Sequence, residues 1–196
     1  MKHKRSELTR AKIVAAARQQ FLEKGIDNTA IAEICRMSGV SNGALFHQFP
    51  VKEDLAFAVY SEVRLDYWTR VVGALTGQSD PLAGIEAAVR AAFRFQQDEP
   101  GAAALMSDVT GSKWLERYAQ AAQPMHDAMT ARAMAWAAPH IQSGHLPSVH
   151  PDVFIALVSG APQWIGRIVR IGLATSTIDE IADDLARLVR RAFEPR

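Results

Sequence analysis

An all-α fold is predicted by three features of this 196-residue chain. Apolar residues recur at three- and four-residue spacing almost throughout, and the period-two alternation of half-buried strands is scarce. Helix punctuation falls where that spacing begins and ends: Thr9 as a first N-cap, Gly25 past a helix end, and Pro81, Pro100 and Pro151 near later starts. Composition agrees, with 48% apolar and 22% charged residues placing the chain among globular proteins rather than disordered ones. The periodicity predicts about nine helices, over 9–24, 29–37, 41–48, 51–76, 81–98, 101–109, 112–138, 151–173 and 178–194.

Charge divides the chain. Residues 1–52 carry nine Lys and Arg against four acids, a balance of +5, while the remainder holds thirteen basic and seventeen acidic residues, a balance of −4. A basic front on a mildly acidic body suggests that one end meets a polyanion. The helices also lengthen and gain Ala, Trp, Met and Phe beyond residue 50. Two domains are therefore expected, 1–50 and 51–196, with the fourth helix coupling them.

Cys35 is the only cysteine, which excludes an intramolecular disulfide and a four-cysteine metal site. MKHKRSELTR lacks the apolar core of a signal peptide. The longest apolar run, VFIALVSGAP, is about half the ~20 residues a membrane helix needs. A soluble, cytoplasmic protein without a membrane partner is expected. His140, His145 and His150 lie five residues apart in a segment broken by Gly and Pro. That spacing suits a polar connection better than a helical metal pair, so no metal and no cofactor are expected.

The most informative stretch is Thr29–Leu55, TAIAEICRMSGVSNGALFHQFPVKEDL. Thr29 is placed to cap a short helix whose inward positions are Ala32, Ile34, Cys35 and Met37. Gly39 supplies the positive φ of a tight corner, Val40 plugs it, and Ser41 caps the next helix. Two helices joined by so short a Gly-containing link form a helix-turn-helix. In the second of them, Leu45 and Phe49 share the core side at i, i+4, so Gly43, Phe46 and His47 point away. Gly43 and Ala44 leave a low surface that a large partner can approach, while His47 and Gln48 offer hydrogen bonds. This suits insertion into a DNA major groove. Lys52 lies in a first helical turn, where the macrodipole disfavours a cation; a phosphate at that position would resolve the conflict.

With these residues in place, the stretch resembles the amino-terminal signature of the TetR family of bacterial transcriptional regulators, from near Thr9 to about residue 60. The shared pattern is Thr29, Gly39-Val40-Ser41, Gly43, Leu45, Phe49 and Lys52 at these spacings. The resemblance implies a three-helix DNA-binding domain followed by a larger helical ligand-binding and dimerisation domain. It further implies that Thr29, Lys52 and the residues around Phe46 and His47 hold phosphates, and that Ser41, Asn42, Gly43 and Ala44 lie close to DNA, the last three approaching bases. Two positions depart from the family. Phe46 stands where Tyr is frequent and cannot donate a hydroxyl to phosphate. Asn42 stands where a basic residue is common, and Asn prefers adenine edges where Arg or Lys favours guanine. Arg5, in the basic tail from Lys2, either follows DNA or belongs to a disordered start.

In the larger domain, Trp68, Phe93, Met106, Trp114, Met125, Met129 and Trp136 are adaptable apolar residues. They read either as core filling or as the lining of a pocket for an apolar or aromatic effector. Arg94, Asp108 and His126 are candidates to orient such a ligand. The last two helices carry broad apolar faces, with Phe154, Leu157, Val158, Ala161, Ile165 and Ile168 on one and Ile181, Leu185 and Leu188 on the other. Repeated about a twofold axis, they would form a four-helix dimer interface. Pro162 is expected to kink the first of them. The resulting expectation is a homodimeric, ligand-responsive repressor of a pseudo-palindromic operator in double-stranded DNA. Ligand-promoted DNA binding is the alternative, and a helical enzyme or a protein-binding module are the rivals. No phosphate loop, nucleophile elbow or zinc helix supports an enzyme.

Overall fold

The structure, a computed structural model, describes residues 2–195, with side chains described from Lys4. Ten α-helical segments follow one another among them: α1 (Lys2–Lys24), α2 (Ile31–Ser38), α3 (Asn42–Gln48), α4 (Lys52–Thr76), α5 (Pro81–Asp98), α6 (Pro100–Thr110), α7 (Ala119–Gln142), α8 (Pro151–Ile155), α9 (Ala161–Arg170) and α10 (Ile178–Ala192). A 3-10 helix, Lys113–Tyr118, precedes α7, and a π-helical turn, Ala156–Gly160, joins α8 to α9. Counting α8, the π turn and α9 as one rod gives the expected nine helices.

Two expected starts are corrected. The first helix begins at Lys2 rather than at Thr9, because KHKRSEL contains no helix breaker. The Thr9 hydroxyl instead donates back to the Arg5 carbonyl one turn earlier, as Ser and Thr do inside helices. Arg5 is therefore an exposed residue of a helix, not part of an extended arm; the Lys2 side chain lies outside the described residues. The segment expected as one helix over 112–138 is a 3-10 helix followed by α7. Tertiary contacts account for that change: the Tyr118 ring stacks on Phe57 at 4.7 Å, its hydroxyl donates to Asp54 Oδ1 at 2.6 Å, and Arg117 pairs with Glu53 at 3.7 Å. Burial first, and then the Asp54 carboxylate, push the Tyr118 phenol up to about 12.

The chain divides into two compact units, Met1–Arg64 with Gly101–Ala119, and Leu65–Pro100 with Gln120–Arg196. Neither follows the composition break near residue 50, since the first recruits α6 and the 3-10 helix from the middle of the chain. Its core is built from Ile13, Ala17, Phe21, Ile34, Leu45, Phe49, Leu55 and Val59, each at most 3% exposed. Gly101 admits α6 against the end of α1, because a Cβ there would lie 2.4 Å from the Leu22 carbonyl oxygen.

In the second unit, α5 packs on α10, on α9 and on the π turn. Pro162 lacks an N–H and in a regular helix would collide with the carbonyl four residues back. The rod accommodates it by widening just before it: the Ala161 N–H bonds to the Ala156 carbonyl, a five-residue step. Buried polar groups fasten this turn. The Tyr67 and Ser159 hydroxyls meet at 2.9 Å, Gln163 Nε2 donates to Ser159 Oγ, and Gln96 Nε2 donates to the Pro162 carbonyl at 2.7 Å. Desolvation of the fully buried Tyr67 raises its phenol to about 12.

Along the rod, Phe154, Val158, Pro162 and Gly166 form a buried stripe, and Ala182, Ala186, Val189 and Phe193 do the same on α10. Phe154 and Val158 are thereby removed from the expected interface. Each is 2% exposed, with the Phe154 and Phe193 rings in edge contact at 5.3 Å, so both are core. The other face keeps Leu157, Ala161, Ile165, Ile168, Ile181 and Leu185 half-buried, with Leu188 60% and Trp164 64% exposed. Trp164 joins this face three residues after Ala161, outside the set of residues expected there.

Candidate nucleic-acid interface

Helices α1, α2 and α3 pack on one another and hold the helix-turn-helix in place. The α1–α2 connection closes on Thr29, whose role differs from the one expected. Thr29 is 2% exposed, and its hydroxyl donates to the Gly25 carbonyl at 2.8 Å and the Gln20 carbonyl at 3.3 Å. It satisfies the open carbonyl end of α1 instead of capping α2, whose N-cap is Ala30 without a side-chain bond. A hydroxyl so committed has no proton for a phosphate. Within α2, Ile34 is buried, Cys35 and Met37 are half-buried, and Ala32 is exposed rather than inward. Lys24 and Glu33 bridge α1 to α2 at 2.7 Å, and that hydrogen bond holds the Glu33 carboxyl below its usual range.

The corner itself is as read. Gly39 sits at φ 67°, in the left-handed region, and Ser41 caps α3 by accepting from the Ala44 N–H at 3.3 Å. Leu45 and Phe49 are buried, and the Arg10 guanidinium lies over the Phe49 ring at 5.0 Å. Ser41, Asn42, Gly43, Phe46 and His47 are all exposed, Phe46 by 42%, and Ala44 is half-exposed. A Cβ on Gly43 would meet nothing within 4 Å, so no internal packing demands a glycine there. The exposed ring of Phe46 has no core to fill either.

Two further contacts steady α3. Gln48 Nε2 donates to Ser6 Oγ on α1 at 2.8 Å, and Cys35 Sγ donates to Asn42 Oδ1 at 3.4 Å. Neither follows from helical periodicity, since the first joins α3 to α1 and the second spans the α2–α3 corner. Lys52 opens α4 as expected, and its Nζ lies 3.4 Å from the Asp27 carbonyl, which holds the ammonium beside the α1–α2 connection. Asp54 steadies the same turn, because its Oδ2 accepts from the Val51 N–H.

The expected effector residues divide between the units. Met106 and Trp114 belong to the first, and Trp68, Phe93, Met125, Met129 and Trp136 to the second. Trp68, Phe93, Met106 and Met129 are buried; Trp114, Met125 and Trp136 are half-buried. Arg94 and Asp108 reach the surface, and His126 is half-buried. A cavity of about 480 Å³ opens elsewhere in the second unit, lined by Gly144, Leu146, Val149, Ala192, Glu194 and Pro195 among others. The three histidines have separate local roles. The His140 ring lies tilted against Trp136 at 5.1 Å, His145 Nδ1 meets the Ser143 hydroxyl, and His150 Nδ1 caps α8 through the Asp152 N–H. Among the described residues no group of three or more His, Cys, Asp or Glu is placed to hold a metal, and no helix is long and apolar enough to cross a membrane.

Residues 13–59, which contain this corner, match the family described as "Bacterial regulatory proteins, tetR family". Most of the chain is similar to curated regulators. It is 29% identical over 175 residues to the HTH-type transcriptional regulator RutR of Escherichia coli (strain K12), covering 82% of this chain and 76% of that protein. It is 26% identical over 169 residues to the HTH-type transcriptional regulator BetI of Burkholderia ambifaria, covering 86% and 77%. Its fold matches the crystal structure of a TetR family transcription regulator from Marinobacter aquaeolei with a TM-score of 0.72, at 18% identity, over 99% of this chain and all of that one.

Proposed function

We propose that this chain, whose residues 13–59 match the tetR family of bacterial regulatory proteins, is a TetR-family transcriptional regulator rather than an enzyme and acts in the cytoplasm as a homodimeric repressor. It binds a pseudo-palindromic operator and is released by a small, mainly apolar or aromatic effector. The observation that carries this reading is α3: buried Leu45 and Phe49 anchor a short helix whose open face is Asn42, Gly43, Phe46 and His47. A helix merely exposed to water gains nothing from a glycine and an outward phenylalanine. One lying in a major groove gains close approach from the first and apolar contact with thymine methyls from the second. Arg5 on α1 and Lys52 on α4 supply positive charge for the flanking phosphates, and the +5 balance of residues 1–52 favours the encounter.

In a dimer the two α3 helices would enter successive major grooves, about 34–36 Å apart or a multiple of that. An effector need only bind more tightly to a conformer in which α4 has shifted and the spacing no longer fits. Selection of bound duplexes from a random pool tests the reading. An enriched two-fold-related sequence is expected, and a folded dimer that enriches none would reject it.

Lys52→Ala should weaken binding to operator and random duplex alike. It should also reduce the slope of log affinity against log salt by about one. Titrations at several salt concentrations measure both, and an unchanged slope would take Lys52 off the phosphates.

The dimer is proposed to close on the Leu157, Ala161, Trp164, Ile165, Ile168, Ile181, Leu185 and Leu188 face. Trp164 and Leu188 are its most exposed large members, and a Trp can bury roughly 150–250 Å² on association. Trp164→Glu combined with Leu188→Glu should give a monomer by sedimentation equilibrium, with helicity retained. A dimer that survives both charges must be joined elsewhere.

A further inference from the structure

The bond from Cys35 to Asn42 bears on which base the first residue of α3 can read. It spans the left-handed corner at Gly39, with the thiol on α2 donating to Oδ1 of an exposed side chain on α3. Burial pushes the Cys35 thiol up, so at neutral pH it keeps the proton it donates. The two polar atoms of an amide diverge from one carbon. With Oδ1 turned back towards α2, the NH₂ group of Asn42 is turned away from it. Ser41 fixes the backbone at this end of α3 through the Ala44 N–H, so the amide is held by a bond on its own side chain and by a cap beside it.

We propose that Cys35 is a positioning residue for operator recognition, holding the Asn42 amide with its donor outward so that Asn42 reads hydrogen-bond acceptors. This rests on the DNA-reading role of α3 proposed above. An unconstrained Asn pairs with adenine through both atoms, donating to N7 and accepting from the N6 amino group. A donor alone is satisfied equally by N7 of adenine, by N7 or O6 of guanine and by O4 of thymine. The base step facing Asn42 should therefore exclude cytosine, whose major-groove edge offers a donor, without preferring adenine to guanine.

Duplex selection with four proteins tests this: wild type, Cys35→Ala, Asn42→Ala and the double variant. Removing the thiol frees Oδ1, so Cys35→Ala should raise adenine over guanine at one step per half-site. The expected shift is about two- to fivefold, the range a weak S–H···O bond is worth. Cys35→Val, which fills the space without a donor, should reproduce it. The remaining positions of the profile should not move, and in the Asn42→Ala background Cys35→Ala should change nothing. A Cys35→Ala profile identical to the wild type's would overturn the inference while leaving the DNA-reading role intact. A shift that persists without Asn42, or spreads over the whole site, would overturn it in favour of a packing role. Should the wild-type protein enrich no sequence, the DNA-reading role falls and the inference with it.

Discussion

Phe49→Ala is expected to cost about 3–5 kcal/mol, the range for removing a buried aromatic ring, and to abolish operator binding with it. Phe49 is 3% exposed, its N–H closes the last turn of α3 on the Leu45 carbonyl, and its ring lies under Arg10 of α1. With Leu45 it is one of the two buried side chains that tie α3 to the rest of the first unit. A helix of seven residues has almost no stability of its own. Its position therefore depends on these anchors, and the loss is large against a total stability of ~5–15 kcal/mol. Because the chain has two compact units, a single global midpoint would blur the effect. Hydrogen exchange resolves it: amides of α1 and α3 should lose protection first, while those of α5 and α10 keep theirs. Protection in α3 within about 1 kcal/mol of wild type would show that Leu45 alone suffices to hold it.

Gly101→Ala is the second large effect. The added Cβ would stand 2.4 Å from the Leu22 carbonyl oxygen, 3.2 Å from its carbon and 3.3 Å from Leu22 Cβ. Two of these neighbours are backbone and cannot turn aside, so α6 and the end of α1 must separate. Overpacking of this kind costs about 1–3 kcal/mol, and more when backbone has to move. The strain falls where Thr29 fastens the carbonyl end of α1, hence on the support of the helix-turn-helix. Urea unfolding followed by circular dichroism should show an earlier first transition. The same substitution at Gly43 is the control. A Cβ there meets nothing, and alanine is favoured inside a helix by up to about 1 kcal/mol, so stability should hold or rise while affinity for DNA falls. Equal stability losses at the two glycines would remove the steric argument for Gly101.

The α3 face was legible in the sequence because it depends on local rules. Leu45 and Phe49 at i, i+4 leave only one side for Gly43, Phe46 and His47, and Gly39 and Ser41 each answer a short-range backbone need. The effector residues were not legible in the same way. Trp68, Phe93 and Met129 satisfy helical periodicity equally well as core, and all three are buried. Thr29 misled for a related reason: a threonine just before a helix reads as a cap, and only its distance to the Gly25 and Gln20 carbonyls shows that it serves the preceding helix. Phe154 and Val158 are apolar on a helix with two apolar faces, and which face turns inward depends on packing against α5 and α10.

By itself, then, the sequence determined an all-helical chain with a basic helix-turn-helix at its front, because helical period, glycine φ and Ser capping act within a few residues. Only the tertiary structure decided that the first compact unit draws in α6 and the 3-10 helix, that Pro162 is met by a π turn, and that Cys35 turns the Asn42 amide. The first and last of these depend on groups far apart in the chain or across a corner. The π turn, though its own bond is local, is fastened by Tyr67 and Gln96 from other helices, so how whole helices pack decides what no residue's neighbours in sequence show.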